Sequence, residues 1–386
     1  MKRIHLINLS NFGGAENILI DFLNNRKNGD DLVINIGKSI DKKISDRLPE
    51  IKIINSERIF KSKTIKYPKF MRSYVLLNKI ESLSPDILII WDYVARFPRK
   101  PKVSKVIFYD HGCSWRFPDN DKTRSFFSKV DGCISVSNAS KRVLELRFNL
   151  TCPIKVIKNS IKKQNKTNNI KETFEKNTLI IGTASRLVPL KAIGVSILTI
   201  NELIKKGIRA KLFIAGQGPD KEKLQSLVSV LNLDSHVEFL GFKDKISEFY
   251  ESIDIYMSTP VTESFGLSCL DSMFHGVPVL FPLIDGQPEV IADNISGIGI
   301  LPELTQSEYE VKTGIKIDFP HKVYDQVNDK LIEAKVLSEI SCAREIEKLL
   351  TSDKLLSLKK STLDYSKNNF NFEYFIGELE KGFNKW

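Results

Sequence analysis

Two carboxylates with a short loop between them stand in the second half of the chain. Seven residues separate Glu263 from Asp271, and the loop Glu263-Ser264-Phe265-Gly266 leads into a predicted helix. The first N–H groups of a helix have no partner within it, and they favour an anion at that end. The pattern therefore suits a phosphate, but similar turns are common in doubly wound sheets and also occur without a ligand.

Two basic side chains follow an earlier predicted strand of the same half. Arg186 and Lys191 lie in the segment ASRLVPLKA, directly after the strand Leu179–Thr183. Cations at the carboxyl end of a parallel strand are well placed to bind a pyrophosphate. A solvated loop carries similar residues, so both interpretations stay open at this point.

The first half of the chain has two candidates of its own. The glycine pair Gly13-Gly14 follows the first predicted strand, and His111 follows a later one. Glycines let backbone approach a phosphate, but a tight turn that needs glycine φ angles explains the pair equally well. A histidine at a strand's carboxyl end lies where open α/β sheets bind ligands, although a lone histidine is more often structural.

The elements that position these residues are short apolar strands that alternate with helices. Such alternation on both sides of the polar linker Lys162–Lys176 predicts an α/β protein with two Rossmann-like domains, 1–165 and 166–369. A turn that opens a helix is expected at Asp285–Ile291, and a hairpin or loop insertion within 303–326. The predicted strands are Arg3–Leu9, Leu32–Ile36, Ile51–Ile54, Ile87–Trp91, Lys105–Tyr109, Cys133–Val136, Ile154–Ile157, Leu179–Thr183, Lys211–Ala215, Val237–Leu240, Ile253–Met257 and Val277–Phe281.

Composition limits the class of protein. The chain of 386 residues contains no apolar run long enough for a transmembrane helix, and its apolar N-terminus is too short for a signal peptide. Its five cysteines form no C-x-x-C pair, which indicates neither a zinc site nor a disulfide framework and favours a cytoplasmic location. The D-x-D sequence Asp119-Asn120-Asp121 follows no buried strand, so we expect no metal there.

Charge is distributed unevenly along the chain. Residues 1–165 carry 32 Lys and Arg against 16 Asp and Glu, whereas the remainder carries 26 against 31. Between Arg58 and Arg72 basic residues are interleaved with apolar ones, a pattern that anionic membrane surfaces attract. A solvated face is the alternative, and nucleic acid is disfavoured because no binding motif accompanies the charge.

Taken in order, the motifs resemble the retaining nucleotide-sugar glycosyltransferases of the GT-B fold, in glycosyltransferase family 4. The resembling motifs are Gly13-Gly14-Ala15-Glu16, His111-Gly112, Ser135-Val136-Ser137 with Lys141, Ile157-Lys158-Asn159-Ser160-Ile161, Ser185-Arg186-Leu187 with Lys191, Ala215-Gly216-Gln217-Gly218-Pro219, Val237-Glu238-Phe239-Leu240-Gly241, Glu263 to Pro278 and Pro288-Glu289-Val290-Ile291. The resemblance implies two Rossmann-like domains that face across a cleft, with a last helix (about 370–386) crossing back to the first domain.

The resemblance also implies roles for the candidate residues. Arg186, Lys191 and the N–H groups of Phe265, Gly266 and Leu267 would bind the donor diphosphate, which makes a metal unnecessary. Glu263 and His111 would contact the donor sugar, Gly13-Gly14 the phosphate or acceptor, Phe242 the base and Asp271 the ribose. The family has glutamate at the Asp271 position, so we expect a longer or water-bridged ribose contact here.

The expected function is transfer of a sugar, with retention of configuration, from a nucleoside diphosphate donor to a glycan or lipid-linked acceptor. The setting would be bacterial surface polysaccharide synthesis, in the cytoplasm or peripherally on the inner face of its membrane. A nucleotide-sugar epimerase or a phosphorylase on the same fold is an alternative. A non-catalytic glycan-binding subunit of this fold is another.

Overall fold

A computed structural model of the protein describes residues 1–384 except 28, 57–67, 69, 163–177 and 353. Most of the basic segment 58–72 and of the linker 162–176 thus lies outside the described residues. The chain forms two compact units, residues 1–159 with 372–386 and residues 160–371. No helix in the described part is both long and apolar enough to cross a membrane.

The first unit is built on a parallel sheet of buried apolar strands. Its order is β3-β2-β1-β4-β5-β6-β7, so the direction of winding reverses between β1 and β4. The strands are β1 Lys2–Ile7, β2 Asp30–Asn35, β3 Ile53–Asn55, β4 Ile87–Trp91, β5 Lys105–Asp110, β6 Gly132–Ser135 and β7 Ile154–Val156. The helices are α1 Gly14–Asn25, α2 Lys42–Ser45, α3 Arg72–Ser82, α4 Asp121–Phe127, α5 Asn138–Phe148 and, from the end of the chain, α13 Phe372–Asn384.

The second unit repeats this plan with a second parallel sheet. Its order is β10-β9-β8-β11-β12-β13, and the winding reverses between β8 and β11. The strands are β8 Leu179–Ala184, β9 Ala210–Ala215, β10 Val237–Gly241, β11 Ile255–Met257, β12 Val279–Pro282 and β13 Gly297–Ile300, with an antiparallel hairpin of β14 Lys322–Asp325 and β15 Lys330–Glu333. The helices are α6 Gly194–Lys205, α7 Lys221–Val230, α8 Ile246–Ser252, α9 Leu267–Phe274, α10 Gln306–Thr313, α11 Glu339–Thr351 and α12 Lys354–Asn369. The prediction of an α/β protein with two doubly wound sheets is confirmed.

The last helix, α13, belongs to the first unit, as the resemblance implied. Its Phe383 is fully buried and packs 5.1 Å from Phe22 and 5.9 Å from His5, measured between ring centroids. His5 accepts the indole N–H of Trp91 at Nδ1 (3.1 Å), so its Nε2–H donates to Asp31 (3.0 Å). Burial lowers the pKa of His5, which keeps this core imidazole neutral.

Three local predictions need correction or addition. Asn120 of the D-x-D sequence caps α4, and Asp119 pairs with Arg124, so helix capping explains these residues. A 3-10 turn over Gln287–Glu289 replaces the helix expected after Asp285. The range 303–326 contains a helix, α10, and the hairpin begins only at Lys322 and extends to Glu333, beyond the expected range. The capping box of Thr305 and Glu308 is a sequence signal that could have predicted α10.

Candidate functional site

The predicted cation and the first predicted carboxylate meet where the winding of the second sheet reverses. Lys191 follows β8 and Glu263 follows β11, and these strands are neighbours at the reversal. Lys191 Nζ lies 2.6 Å from Glu263 Oε2, and the two side chains are 22% and 18% exposed. In open α/β sheets this edge is where ligands bind. The structure therefore brings two residues 72 positions apart into one accessible pair.

The loop after β11 forms hydrogen bonds to the backbone of the turn that contains Lys191. Lys191 ends a 3-10 turn, and the next residue, Ala192, has the left-handed φ of 44°. The Thr259 hydroxyl lies 3.0 Å from the Lys191 carbonyl oxygen and 3.2 Å from that of Ala192. The N–H of Val261 donates to the Leu190 carbonyl at 2.9 Å. The helix expected from Ala192 begins at Gly194 instead, because this turn precedes it.

The helix after Glu263 begins as predicted, at Leu267. Its N-cap is Gly266 with φ 93°, a left-handed conformation that other L residues rarely adopt. Cys269 and Leu270 donate to the Gly266 carbonyl, and no side chain caps this end of α9. The positive end of α9 is thus next to Glu263, while Phe265 is buried and Ser264 nearly so.

Asp271 lies one turn further along α9, with its side chain 27% exposed. Burial raises its pKa from 3.8 to about 6, and His275, whose Nδ1 is 3.8 Å from Oδ1, opposes this rise. The His275 ring also stacks on buried Tyr250, with ring centroids 5.2 Å apart. Asp271 is therefore a half-buried carboxylate on the same helix as the Gly266 N-terminus.

Two further predicted residues of this unit are Arg186, which follows β8 as Lys191 does, and Phe242, which follows another strand. Arg186 is exposed after β8, and no carboxylate of the described residues forms an ion pair with it. Phe242 follows β10 and is half-buried. Between them lies Gly216, where a Cβ would come within 1.8 Å of the Ser185 carbonyl oxygen. That glycine belongs to the packing of the Arg186 loop rather than to a phosphate cradle.

His111 of the first unit follows β5. Its ring stacks on Trp91 (centroids 5.3 Å apart, planes 9° apart) and packs on Tyr109 (centroids 4.1 Å apart). The backbone N–H of His111 donates to Asp92 Oδ1 at 2.6 Å. Burial lowers the pKa of His111 to about 3, so the imidazole is neutral at physiological pH. It can form hydrogen bonds to a ligand but cannot serve as a charged acid.

The glycine pair opens α1 after β1, beside the reversal of the first sheet. Gly13 is the N-cap residue with φ −157°, and neither glycine has a positive φ. A turn that requires glycine φ angles is thus the wrong explanation for the pair. The exposed N-terminus of α1 at Gly14 remains compatible with an anion.

Sequence reasoning missed two buried carboxylates behind these loops. Asp110 accepts hydrogen bonds from the N–H groups of Gly112 (3.3 Å) and Ser114 (3.1 Å) and from the Ser114 hydroxyl (2.8 Å), which fixes the loop after His111. Asp285 accepts from Thr262 Oγ1 at 2.6 Å and from the Glu263 N–H at 3.3 Å. These partners of Asp110 lie two and four residues along the chain, whereas those of the Asp285 carboxylate lie 22 to 39 residues away, so no local spacing marks Asp285.

The predicted residues divide between the two units. The second unit brings Lys191 and Glu263 into contact and places Ser264, Phe265, Gly266, Leu267 and Asp271 on the same loop and helix. Arg186 follows β8, the strand that also precedes Lys191, and Phe242 follows β10. His111, Gly13 and Gly14 belong to the first unit. In the described ranges, no group of three or more His, Cys, Asp or Glu side chains could hold a metal ion.

Sequence similarity to known proteins includes the second unit and extends beyond it. Residues 164–310 match the family model described as Glycosyl transferases group 1. An uncharacterized glycosyltransferase of Methanocaldococcus jannaschii is 26% identical over 294 residues, which cover 66% of this chain and 74% of that protein. The poly(ribitol-phosphate) alpha-N-acetylglucosaminyltransferase of Staphylococcus aureus is 28% identical over 227 residues, 58% of this chain but 42% of that protein's length.

Solved structures show the same fold over the whole chain. Anabaena HepE, crystallised in complex with UDP and glucose, superposes with a TM-score of 0.71 and full coverage of both chains, at 17% identity. At that identity the likeness establishes the fold alone. Residues 164–310 are therefore similar to the group 1 glycosyl transferases, and the chain as a whole has the fold of a GT-B glycosyltransferase structure.

Proposed function

We propose that the protein is a retaining glycosyltransferase that moves a sugar from a nucleoside diphosphate donor to a glycan or lipid-linked acceptor. The observation that carries this proposal is the Lys191–Glu263 pair at the sheet reversal, 2.6 Å apart beside the N-terminus of α9. A cation, a carboxylate and free helix N–H groups in one place suit a phosphorylated sugar. The similarity to group 1 glycosyl transferases supports the same conclusion.

The diphosphate would be bound without a metal. Arg186, Lys191 and the N–H groups of Phe265, Gly266 and Leu267 supply positive charge where the leaving diphosphate gains negative charge. Phe242 would lie against the base. Glu263, released from Lys191 when the phosphates bind, would accept hydrogen bonds from the sugar hydroxyls.

The reaction would proceed on one face of the sugar. The acceptor oxygen forms a bond to the anomeric carbon as the bond to the diphosphate oxygen breaks, and the electron pair leaves with the diphosphate. The acceptor proton passes to a diphosphate oxygen. The neutral imidazole of His111 would bind the sugar, and the N-terminus of α1 at Gly13-Gly14 the phosphate or acceptor. A double displacement would instead require a protein nucleophile.

The primary test is a donor screen followed by product analysis. Thermal shifts with UDP-, GDP-, ADP- and CMP-sugars identify the donor, and the expected product is a new glycoside whose anomeric configuration, read by NMR, matches the donor. An epimerised donor, a sugar phosphate or an inverted linkage would contradict the proposal. So would the absence of binding to every donor.

Asp271 gives a prediction about both stability and donor binding. Because its pKa in the folded protein is raised to about 6, the ionised form is disfavoured by folding, and Asp271 costs stability as pH rises from 4 through 6. We expect Asp271→Asn to raise Tm at pH 7 and to leave it unchanged near pH 4. Nucleoside diphosphate affinity should fall about tenfold, since the ribose loses a charged acceptor.

Thermal melts at several pH values and calorimetric titration measure the two effects. Asp293→Asn is the control, at an exposed aspartate between β12 and β13. A Tm gain that is equal at pH 4 and pH 7, or unchanged nucleotide affinity, would show that Asp271 does not have this role.

We propose further that the enzyme works peripherally at an anionic membrane, on an acceptor of surface polysaccharide synthesis. Phe70 and Met71, at the end of the basic segment 58–72, are 77% and 41% exposed, and Tyr74, in the first turn of α3, is 59% exposed. The Staphylococcus aureus relative is named as a transferase that acts on poly(ribitol-phosphate). Exposed aromatic residues beside lysines suit a headgroup layer.

Replacing Phe70 and Tyr74 with serine should weaken binding to vesicles of anionic lipid about tenfold, because two apolar side chains no longer insert. Cosedimentation at low and high salt measures this. Tyr374→Ser, which removes a tyrosine 69% exposed on α13, is the control. Equal binding by both variants, or none by the unaltered protein, would contradict a membrane role for this surface.

A further inference from the structure

A hairpin outside the family-matched region is tied to the loop that carries Glu263. The match ends at residue 310, whereas β14 and β15 span 322–333. Asp285 makes the connection: its N–H donates to the Tyr324 carbonyl at 2.9 Å, and the Tyr324 N–H donates to Asp285 Oδ1 at 2.7 Å. One carboxylate oxygen is therefore fixed by the backbone of β14.

The second oxygen of the same carboxylate holds the Glu263 loop. Asp285 Oδ2 accepts from the Thr262 hydroxyl (2.6 Å) and from the N–H of Glu263 (3.3 Å). The N–H of Gly286 donates to the Glu263 carbonyl at 3.0 Å. Both backbone polar groups of Glu263 are thus bonded to the Asp285-Gly286 turn, while its side chain remains accessible.

Burying the Asp285 carboxylate and holding its backbone in a left-handed conformation both cost stability. The residue is fully buried and has a left-handed φ of 49°. A buried carboxylate is tolerated where donors satisfy it, and backbone strain of this kind concentrates at functional sites. The donors that satisfy it here belong to two segments about 60 residues apart, so the carboxylate sets the position of one against the other.

We propose that Asp285 is a positioning residue that fixes the Glu263 carboxylate relative to the donor sugar, with the β14–β15 hairpin as its support. This inference rests on the proposed function, in which Glu263 contacts the sugar and other groups bind the diphosphate. Loss of Asp285 should then impair transfer more than binding of the nucleoside diphosphate. A residue that only stabilises the hairpin would show no such division.

Three variants of the full-length protein test this. Asp285→Asn replaces an acceptor oxygen by an N–H donor, and Thr262→Val removes one hydroxyl from the same network. Asp325→Asn is the control, because Asp325 accepts from the Val327 N–H (2.9 Å) in the turn of the same hairpin and does not touch the Glu263 loop. The measurements are kcat for transfer, Tm, and the Kd of UDP or of the nucleoside diphosphate that the donor screen identifies.

We expect kcat to fall about 10- to 100-fold in Asp285→Asn and about 3- to 10-fold in Thr262→Val, because small displacements of a reacting group are costly. The nucleoside diphosphate Kd should stay within about threefold, and Asp325→Asn should keep kcat within about twofold. If Asp285→Asn does not fold, Thr262→Val decides the question.

Two results would overturn the inference: kcat within about twofold of the unaltered protein in the folded variants, or equal losses in kcat and diphosphate affinity. Glycoside formation by the unaltered protein tests the proposed function separately. Its absence would reject that function, whereas its presence with an unaffected Thr262→Val would reject only the role of Asp285.

Discussion

Replacing Lys191 with alanine is expected to lower kcat/KM for the nucleotide-sugar donor by about 100-fold or more, because a cation aimed at the leaving diphosphate is lost. The variant also leaves Glu263 without its partner at 2.6 Å. Steady-state kinetics with the donor identified by thermal shift measure the loss. Lys191→Arg should recover part of the rate, since the charge is restored in a different geometry.

Lys205→Ala is the matched control for this prediction. Lys205 pairs with Glu202 at 2.7 Å on α6 of the same unit, but its side chain is 61% exposed and far along the helix from the loop. We expect Lys205→Ala to keep both kcat/KM and Tm nearly unchanged, because a pair whose lysine is this exposed contributes little stability. If Lys191→Ala keeps kcat/KM within a few-fold of the unaltered protein, Lys191 does not bind the diphosphate.

Replacing Lys359 with alanine is expected to cost about 3–5 kcal/mol of unfolding free energy. Lys359 Nζ lies 2.9 Å from Asp254 Oδ1, with the two side chains 5% and 1% exposed, so the variant strands a buried carboxylate. Asp254 precedes β11 and also accepts the Ile180 N–H of β8 at 3.0 Å. The pair therefore joins α12 to the two strands at whose other ends Lys191 and Glu263 lie.

Denaturant unfolding measures this loss. Lys348→Ala, which breaks a pair on α11 whose lysine is 63% exposed, should change the free energy by well under about 1 kcal/mol. The double variant Lys359→Met with Asp254→Leu should recover stability, because no charge is then left buried. A single variant as stable as the Lys348→Ala control would show that the pair does not contribute in this way.

The fold could be predicted well because its signals are local. The apolar runs that became β4 and β5 are bounded by proline, glycine and charged residues, and they appear in the structure with nearly the expected limits. The candidate residues could also be found, since each follows a strand end, where parallel sheets bind ligands. The helix α10 was not predicted, although the capping box of Thr305 and Glu308 is a local signal for its start.

Contacts between distant segments were beyond such reasoning. Cys133 and Cys152 form no C-x-x-C pair, yet their Sγ atoms lie 3.6 Å apart because β6 and β7 pair in parallel. The expectation of a hairpin or loop insertion within 303–326 did not include the hydrogen bond from the Tyr324 N–H to Asp285, 39 residues earlier in the chain. Periodicity reports which face of an element is buried, but not which backbone group will satisfy a particular carboxylate.

The sequence alone determined that this is a two-unit α/β chain whose basic and acidic candidates follow strand ends, because hydrophobic period and chain breakers act over a few residues. Only the tertiary structure decided that Lys191 meets Glu263, that His111 is a buried neutral imidazole, and that Asp285 anchors the Glu263 loop. These contacts and this protonation state depend on strand order and on burial. Both are properties of the packed sheet and not of any single segment.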